Sequence, residues 1–192
     1  MMFTRLAKPF AGLLVVAGAV AGAGGCAATG RPGEASSYLI VDSLTSPSGA
    51  AAVTSDVSSN GGILEDVARV TFRVEMKDPS ITAPSAANAI TVRGYRVTFS
   101  RTDGRNTQGV DVPYAFDGAM TATVSGTVTA TIVLVRAQAK LEAPLRALAG
   151  GGGAIAISTF ADVLFYGADQ AGHDVTVTAR ISVNFADWGD EG

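Results

Sequence analysis

The chain predicts an all-β fold, an antiparallel sandwich of seven to nine strands that follows an N-terminal signal segment. Three observations carry this expectation. Valine, threonine, alanine and glycine dominate residues 26–192, whereas lysine, glutamate and leucine are few, a composition that suits pleated sheets and turns. Apolar and polar residues alternate at period two in several separate stretches instead of forming continuous apolar runs. Clusters of glycine, proline, serine, asparagine and aspartate punctuate those stretches.

Residues 26–37 are small and polar and include Gly30, Pro32 and Gly33, the composition of a flexible tether, so a single domain is expected over residues 38–192. Tyr38, Leu39, Ile40 and Val41 open it as a short strand. Pro47 and Gly49 end that strand, residues 50–57 read as a weaker one, and residues 58–62 form a turn. The clearest alternation sets Ala68, Val70, Phe72, Val74 and Met76 against Arg69, Thr71, Arg73, Glu75 and Lys77, a strand with one buried face and one solvated, charged face. Residues 78–88, with Pro79 and Pro84, are a loop. Next, Ile90 and Val92 share one parity while Tyr95, Val97 and Phe99 share the other, so a β-bulge at Gly94 is needed to return both sets to the core. Asp103 and Gly104 make a tight turn, and Pro113 demotes residues 110–116 to an edge or irregular strand.

From Met120 to Val135, 16 residues, one parity carries Met120, Ala122, Val124, Val128, Ala130, Ile132 and Leu134, and the other carries Thr121, Thr123, Ser125, Thr127, Thr129 and Thr131. One straight strand of that length would span about 53 Å, too long for a domain of this size. Either Gly126 bends it between two sheets or Ser125 and Gly126 turn a hairpin. Val133 and Val135 replace threonine on the outer parity, so the end of the stretch should be covered on both faces. Residues 141–148 suit a short helical turn with Pro144 in its first turn, and the four glycines at 150–153 suit a flexible connection. Residues 155–166 form another strand region and 167–172 a turn, after which Val175, Val177, Ala179, Ile181, Val183 and Phe185 mark the last strand. Within that turn Ala168, Asp169, Ala171 and Gly172 resemble the last hairpin of bacterial immunoglobulin-like surface domains, with His173 where the pattern has asparagine. The resemblance implies an immunoglobulin-like sandwich.

At the N-terminus Arg5 and Lys8, with no acidic residue among them, precede an apolar run over residues 11–25. The run is too short and too rich in glycine for a membrane span, which takes about 20 apolar residues, and the order is that of a secretory signal. Ala23, Gly24, Gly25 and Cys26 resemble the bacterial lipoprotein signal, with Ala23 where leucine or another larger aliphatic residue is usual. That resemblance implies cleavage before Cys26, lipid on its thiol, and a protein held at a membrane of the cell envelope, facing the periplasm or the exterior. Ala27, rather than an aspartate, after the cysteine implies onward transport to the outer membrane in a diderm cell. The alternative is an ordinary signal peptide cut nearby, leaving a soluble secreted protein. Cys26 is the only cysteine, so no internal disulfide holds the fold.

Loss of residues 1–25 would remove Arg5 and Lys8, so 14 basic side chains would fall to 12 against 17 acidic ones, a net charge of −5. A domain of this length buries a sufficient core without a structural metal. No run of lysine and arginine with interleaved aromatics is present, which excludes nucleic acid as an expected partner. His173 is the only histidine, it falls in a predicted turn, and no Gly-x-Ser-x-Gly accompanies it, so no catalytic residue is nominated. Asp169, Asp174, Asp187, Asp190 and Glu191 could offer oxygen ligands to calcium, but no Asp-x-Asp-x-Asp-Gly spacing exists, and neither metal nor cofactor is expected. Trp188 is read as a plug over the core. The threonine stripe over 121–131 is either an ordinary solvent-facing parity, the simpler reading, or a platform for a flat repeating glycan. The expected function is a non-catalytic, lipid-anchored envelope protein acting as a structural or interaction module. The alternative binds a glycan or small ligand through loops at one end of the sandwich. Its partners would be the membrane, through the lipid, and an envelope protein or polysaccharide.

Overall fold

The computed structural model describes residues 35–59, 62–81 and 83–188. Eight strands follow in chain order: β1 (Ser37–Thr45), β2 (Ala52–Asp56), β3 (Asp66–Met76), β4 (Ile90–Ser100), β5 (Phe116–Val124), β6 (Thr127–Val135), β7 (Ile157–Asp169) and β8 (Asp174–Ala186). They make a three-stranded sheet ordered β1-β3-β6 and a five-stranded sheet ordered β2-β8-β7-β4-β5, packed together as a sandwich. A single turn of helix, α1 (Ala137–Lys140), and short 3-10 turns at Ala86–Asn88 and Leu145–Leu148 are the helical pieces among the described residues.

Every strand pair is antiparallel except the β2–β8 edge pair. The exception has a local cause. β1 leaves the three-stranded sheet at Thr45, the chain kinks through residues 46–51, and it continues in the same direction as β2 on the opposite sheet, where β8 points the same way.

On β3 the alternation behaves as period two requires: Ala68, Val70, Phe72 and Val74 are buried, while Arg69 and Glu75 are exposed. Phe72 meets Phe165 of β7 edge to face, with ring centroids 4.9 Å apart, which joins the two sheets at the centre of the core. Phe99 and Phe185 make a second such contact at 5.7 Å. Burial of a side chain of this size contributes about 1.5–3 kcal/mol.

The bulge expected at Gly94 is present: the register slips between Val92 and Gly94 against both β5 and β7, and Ile90, Val92, Tyr95, Val97 and Phe99 are all buried. Gly167 of β7 pairs with Val92 there and sits so close that a Cβ would fall on the Thr91 carbonyl and 2.8 Å from the Val92 Cα.

Between Met120 and Val135 the chain reverses at Ser125 and Gly126, yet the two arms do not pair: β5 lies in the five-stranded sheet and β6 in the other. Neither sequence alternative was complete, because the turn and the change of sheet coincide. Leu134 and Val135 are both buried, so the end of β6 is covered on both faces. The Val133 amide donates to the Tyr95 hydroxyl at 3.0 Å, a bond from β6 to β4 that ties one sheet to the other. Burial pushes the Tyr95 phenol up, and the bond from Val133 only partly offsets that.

Other elements differ in their limits. Ala35 and Ser37 are buried and the Ser37 hydroxyl donates to the Asn88 carbonyl at 2.9 Å, so the folded part begins inside the stretch read as tether. Residues 110–115 are irregular and the strand starts at Phe116. The helical turn expected over 141–148 is confined to Leu145–Leu148, with α1 ahead of it, because Pro144 lies at the start of the second turn and not within a continuous helix. The glycine run is a hydrogen-bonded turn rather than a slack connection: Gly150, Gly152 and Gly153 take positive φ, and the Gly150 amide donates to Asp187 Oδ2 at 2.6 Å.

Candidate functional site

The strand registers give the sandwich two unlike ends. At one, the chain enters at Ala35 beside the 77–89 loop, the β5–β6 reversal and the β7–β8 hairpin. At the other lie the 57–65 and 101–115 loops, the 136–156 segment, and Asp187 and Trp188. The 13 residues of β8 run about 40 Å between them. Of the 11 exposed large apolar residues among the described residues, seven sit at this second end: Ile63, Leu64, Val110, Tyr114, Leu141, Ile155 and Trp188.

The 101–115 loop is tightly bonded to itself. Asp103 accepts from the Arg101 guanidinium at 2.6 and 3.1 Å and from the Arg105 amide and Nε, each at 3.1 Å. The bonds from Arg101, reinforced by Arg105 and opposed by desolvation, hold its carboxyl down to about 2. The Thr107 carbonyl accepts from the amides of Val110, Asp111 and Val112, and the Thr107 amide donates to Asp111 Oδ2 at 3.1 Å. Val112 is fully buried and anchors the loop. Gly109, at φ +75°, lies beneath the Tyr114 ring, where any side chain would collide with it. Tyr114 is therefore held by a built loop while remaining 51% exposed.

Facing Tyr114 is the 136–156 segment, fixed by buried Leu145 and Leu148. Between the two runs an open groove of about 710 Å³, with Tyr114 on one wall and Leu141, Glu142, Ala143 and Arg146 on the other. Leu141 is 48% exposed. Glu142 accepts from the Gln138 amide at 2.7 Å, whereas the exposed Arg146 guanidinium has no hydrogen-bond or ion-pair partner among the described residues.

The same segment is secured from below. Lys140 is 3% exposed; its Nζ lies 3.0 Å from Asp66 Oδ2 and donates to the Asp56 carbonyl at 2.7 Å. Ser55 donates to the same Asp66 oxygen at 2.6 Å. This network pins α1 to β2 and β3 and keeps the wall of the groove in place.

The residues singled out in the sequence are scattered. Cys26, with Ala23, Gly24 and Gly25, lies outside the described residues, as do Asp190 and Glu191. Asp169 and Asp187 fall at opposite ends of the sandwich. Asp169 Oδ1 accepts from the Ala171 and His173 amides at 2.9 and 2.8 Å, and its Oδ2 lies 2.8 Å from His173 Nδ1. Burial pushes the Asp169 carboxyl up, but the bonds from the His173 ring and the two amides outweigh it and leave the group below its ordinary range. Both its oxygens thus serve the hairpin itself. Among the described residues no group of three or more His, Cys, Asp or Glu is placed to hold a metal ion.

Trp188 does not close the core: it is over a third exposed, beside Gly153 on the loop-rich end. The threonine stripe is exposed throughout but split, Thr121 and Thr123 on the five-stranded sheet and Thr127, Thr129 and Thr131 on the other. Pairs across strands, Thr91 with Thr123 and Thr71 with Thr129, bond at 3.1 and 3.0 Å. Sequence reasoning passed over Tyr114, Arg146 and Lys140, none of which lies in a periodic stretch; Gly109 and Pro113, two backbone-constraining residues flanking Tyr114's loop, were the available signal.

No protein-family model matches the chain, and no curated protein matches it either. Among the described residues no helix is long and apolar enough to cross a membrane.

Proposed function

We propose that this protein is a lipid-anchored component of the cell envelope, a non-catalytic interaction module attached through Cys26 and presenting its loop-rich end away from the membrane. The observation that carries this reading is the polarity of the domain: the chain enters at one end, and seven of the 11 exposed large apolar residues lie at the other. Exposed apolar surface gathered on one end is the mark of a surface that meets something.

The scaffold supports the same reading. The strand orders β1-β3-β6 and β8-β7-β4 correspond to A-B-E and G-F-C of an immunoglobulin-like sandwich, which supports reading the scaffold as one whose end loops carry binding. The signal-like N-terminus supplies the location, the outer membrane in a diderm cell. A glycan platform along the threonine stripe is the weaker alternative, since its hydroxyls face two different ways.

The test has two arms. Metabolic labelling with a fatty-acid analogue should tag the native protein and not Cys26→Ser, which should leave the membrane fraction; unchanged labelling and fractionation would sink the anchor. Photo-crosslinkers placed at Ile155 and at Thr178, the latter exposed on the outer face of β8, should differ, with envelope adducts forming at Ile155 alone. Equal adducts at both sites would remove the case for an oriented module.

A further inference from the structure

We infer that the groove between Tyr114 and the 136–156 segment binds a peptide segment of a partner protein that inserts an apolar side chain and pairs an acidic residue with Arg146. The inference rests on the proposed role as an interaction module, but not on the lipid.

The geometry carries it in three steps. First, the groove is built from fixed parts. One wall is a loop held by its own carboxylate and backbone bonds and anchored by buried Val112; the other is held by buried Leu145 and Leu148 and by the Lys140–Asp66 pair beneath. A preformed site spends little binding free energy on ordering itself.

Second, the surface is apolar where a ligand would rest. Tyr114 and Leu141 are each about half exposed, and Ala143 and Ala147 also line the groove. A saccharide needs several converging donors and acceptors, and here Glu142 is already engaged by Gln138. Val110 and Ile155, 66% and 60% exposed at the same end, extend apolar surface beyond the groove, which favours a protein over a sugar.

Third, of the two charged side chains that line the groove, the one without a partner among the described residues is positive. Arg146 has no partner among the described residues, and an arginine across a groove from an aromatic side chain is the composition of an interface anchor that awaits a carboxylate.

The experiment is selection from a random-peptide display library on the full chain in detergent, followed by affinity measurement with a synthetic peptide of the enriched sequence. Enriched peptides should share an aromatic or branched aliphatic residue with Asp or Glu close by. Tyr114→Ala and Arg146→Glu should each weaken that peptide at least tenfold, whereas Arg146→Lys should retain part of the affinity and Arg69→Glu, on the outer face of β3, all of it. Arg146 is exposed, so its variants should fold, and circular dichroism checks this. Three results overturn the inference: no enrichment over bare support, an enriched sequence without an acid, or affinity indifferent to Tyr114 and Arg146. Glycan-array binding dependent on Tyr114, without peptide enrichment, would overturn it in favour of a carbohydrate. Adducts formed at Ile155 in the envelope alongside any of these would leave the interaction module standing and remove only this groove.

Discussion

Four positions show how unequally the residues of this fold matter. Phe72 is fully buried against Phe165 between the sheets, so Phe72→Ala should cost about 3–5 kcal/mol by denaturant titration. Its neighbour Arg73 points outward to Asp42 and Glu75, and Arg73→Ala should leave the midpoint close to wild type; equal losses would mean that the two faces of β3 are exchanged. Gly167 acts through what it lacks. Its Cβ would meet the backbone of Thr91 and Val92, which cannot rotate away as a side chain would, so Gly167→Ala should cost about 1–3 kcal/mol or more although it adds one methyl group. Lys140→Ala strands Asp66, and since that carboxylate keeps some solvent, the loss should lie toward the lower end of about 3–5 kcal/mol. A midpoint unchanged in Lys140→Ala would show that the pair does not secure α1.

At the scale of elements, local carboxylates decide where strands stop. Asp169 gathers two amides and the His173 ring, which closes the β7–β8 turn within residues 170–173 and lets β7 run on past the glycine where the sequence suggested an end. Its folded carboxyl lies below its ordinary range, so its contribution is full above the usual aspartate pKa of about 3.9 and is lost as pH falls through the lower, folded value. Asp103 follows the same sign, its contribution fading as pH drops toward about 2. Carboxyl chemical shifts followed by NMR should put both midpoints below the usual aspartate value of about 3.9; a midpoint for Asp169 above it would contradict the bonding described. Strands with strict alternation, β3 and β8 above all, were legible in the sequence, and so was the bulge in β4, because a parity slip beside a glycine has few other solutions. The groove was not. Leu141 and Arg146 lie 27 and 32 positions beyond Tyr114, outside any strand, and only the closure of β5 and β6 on opposite sheets brings them to it.

For the whole molecule, the division of the first strand between two sheets has a mechanical consequence. If a membrane holds the chain ahead of Ala35 while a partner grips the far end, tension runs along the strands rather than across them. β1 then resists with its eight β3 pairs loaded together, in shear, instead of opening one after another like a zip. Beyond the kink at 46–51, the five parallel pairs of β2 with β8 share the same load on the other sheet. A pull that arrives at one thread is thereby spread over both layers, which suits a body that must stay folded while stretched between two anchors.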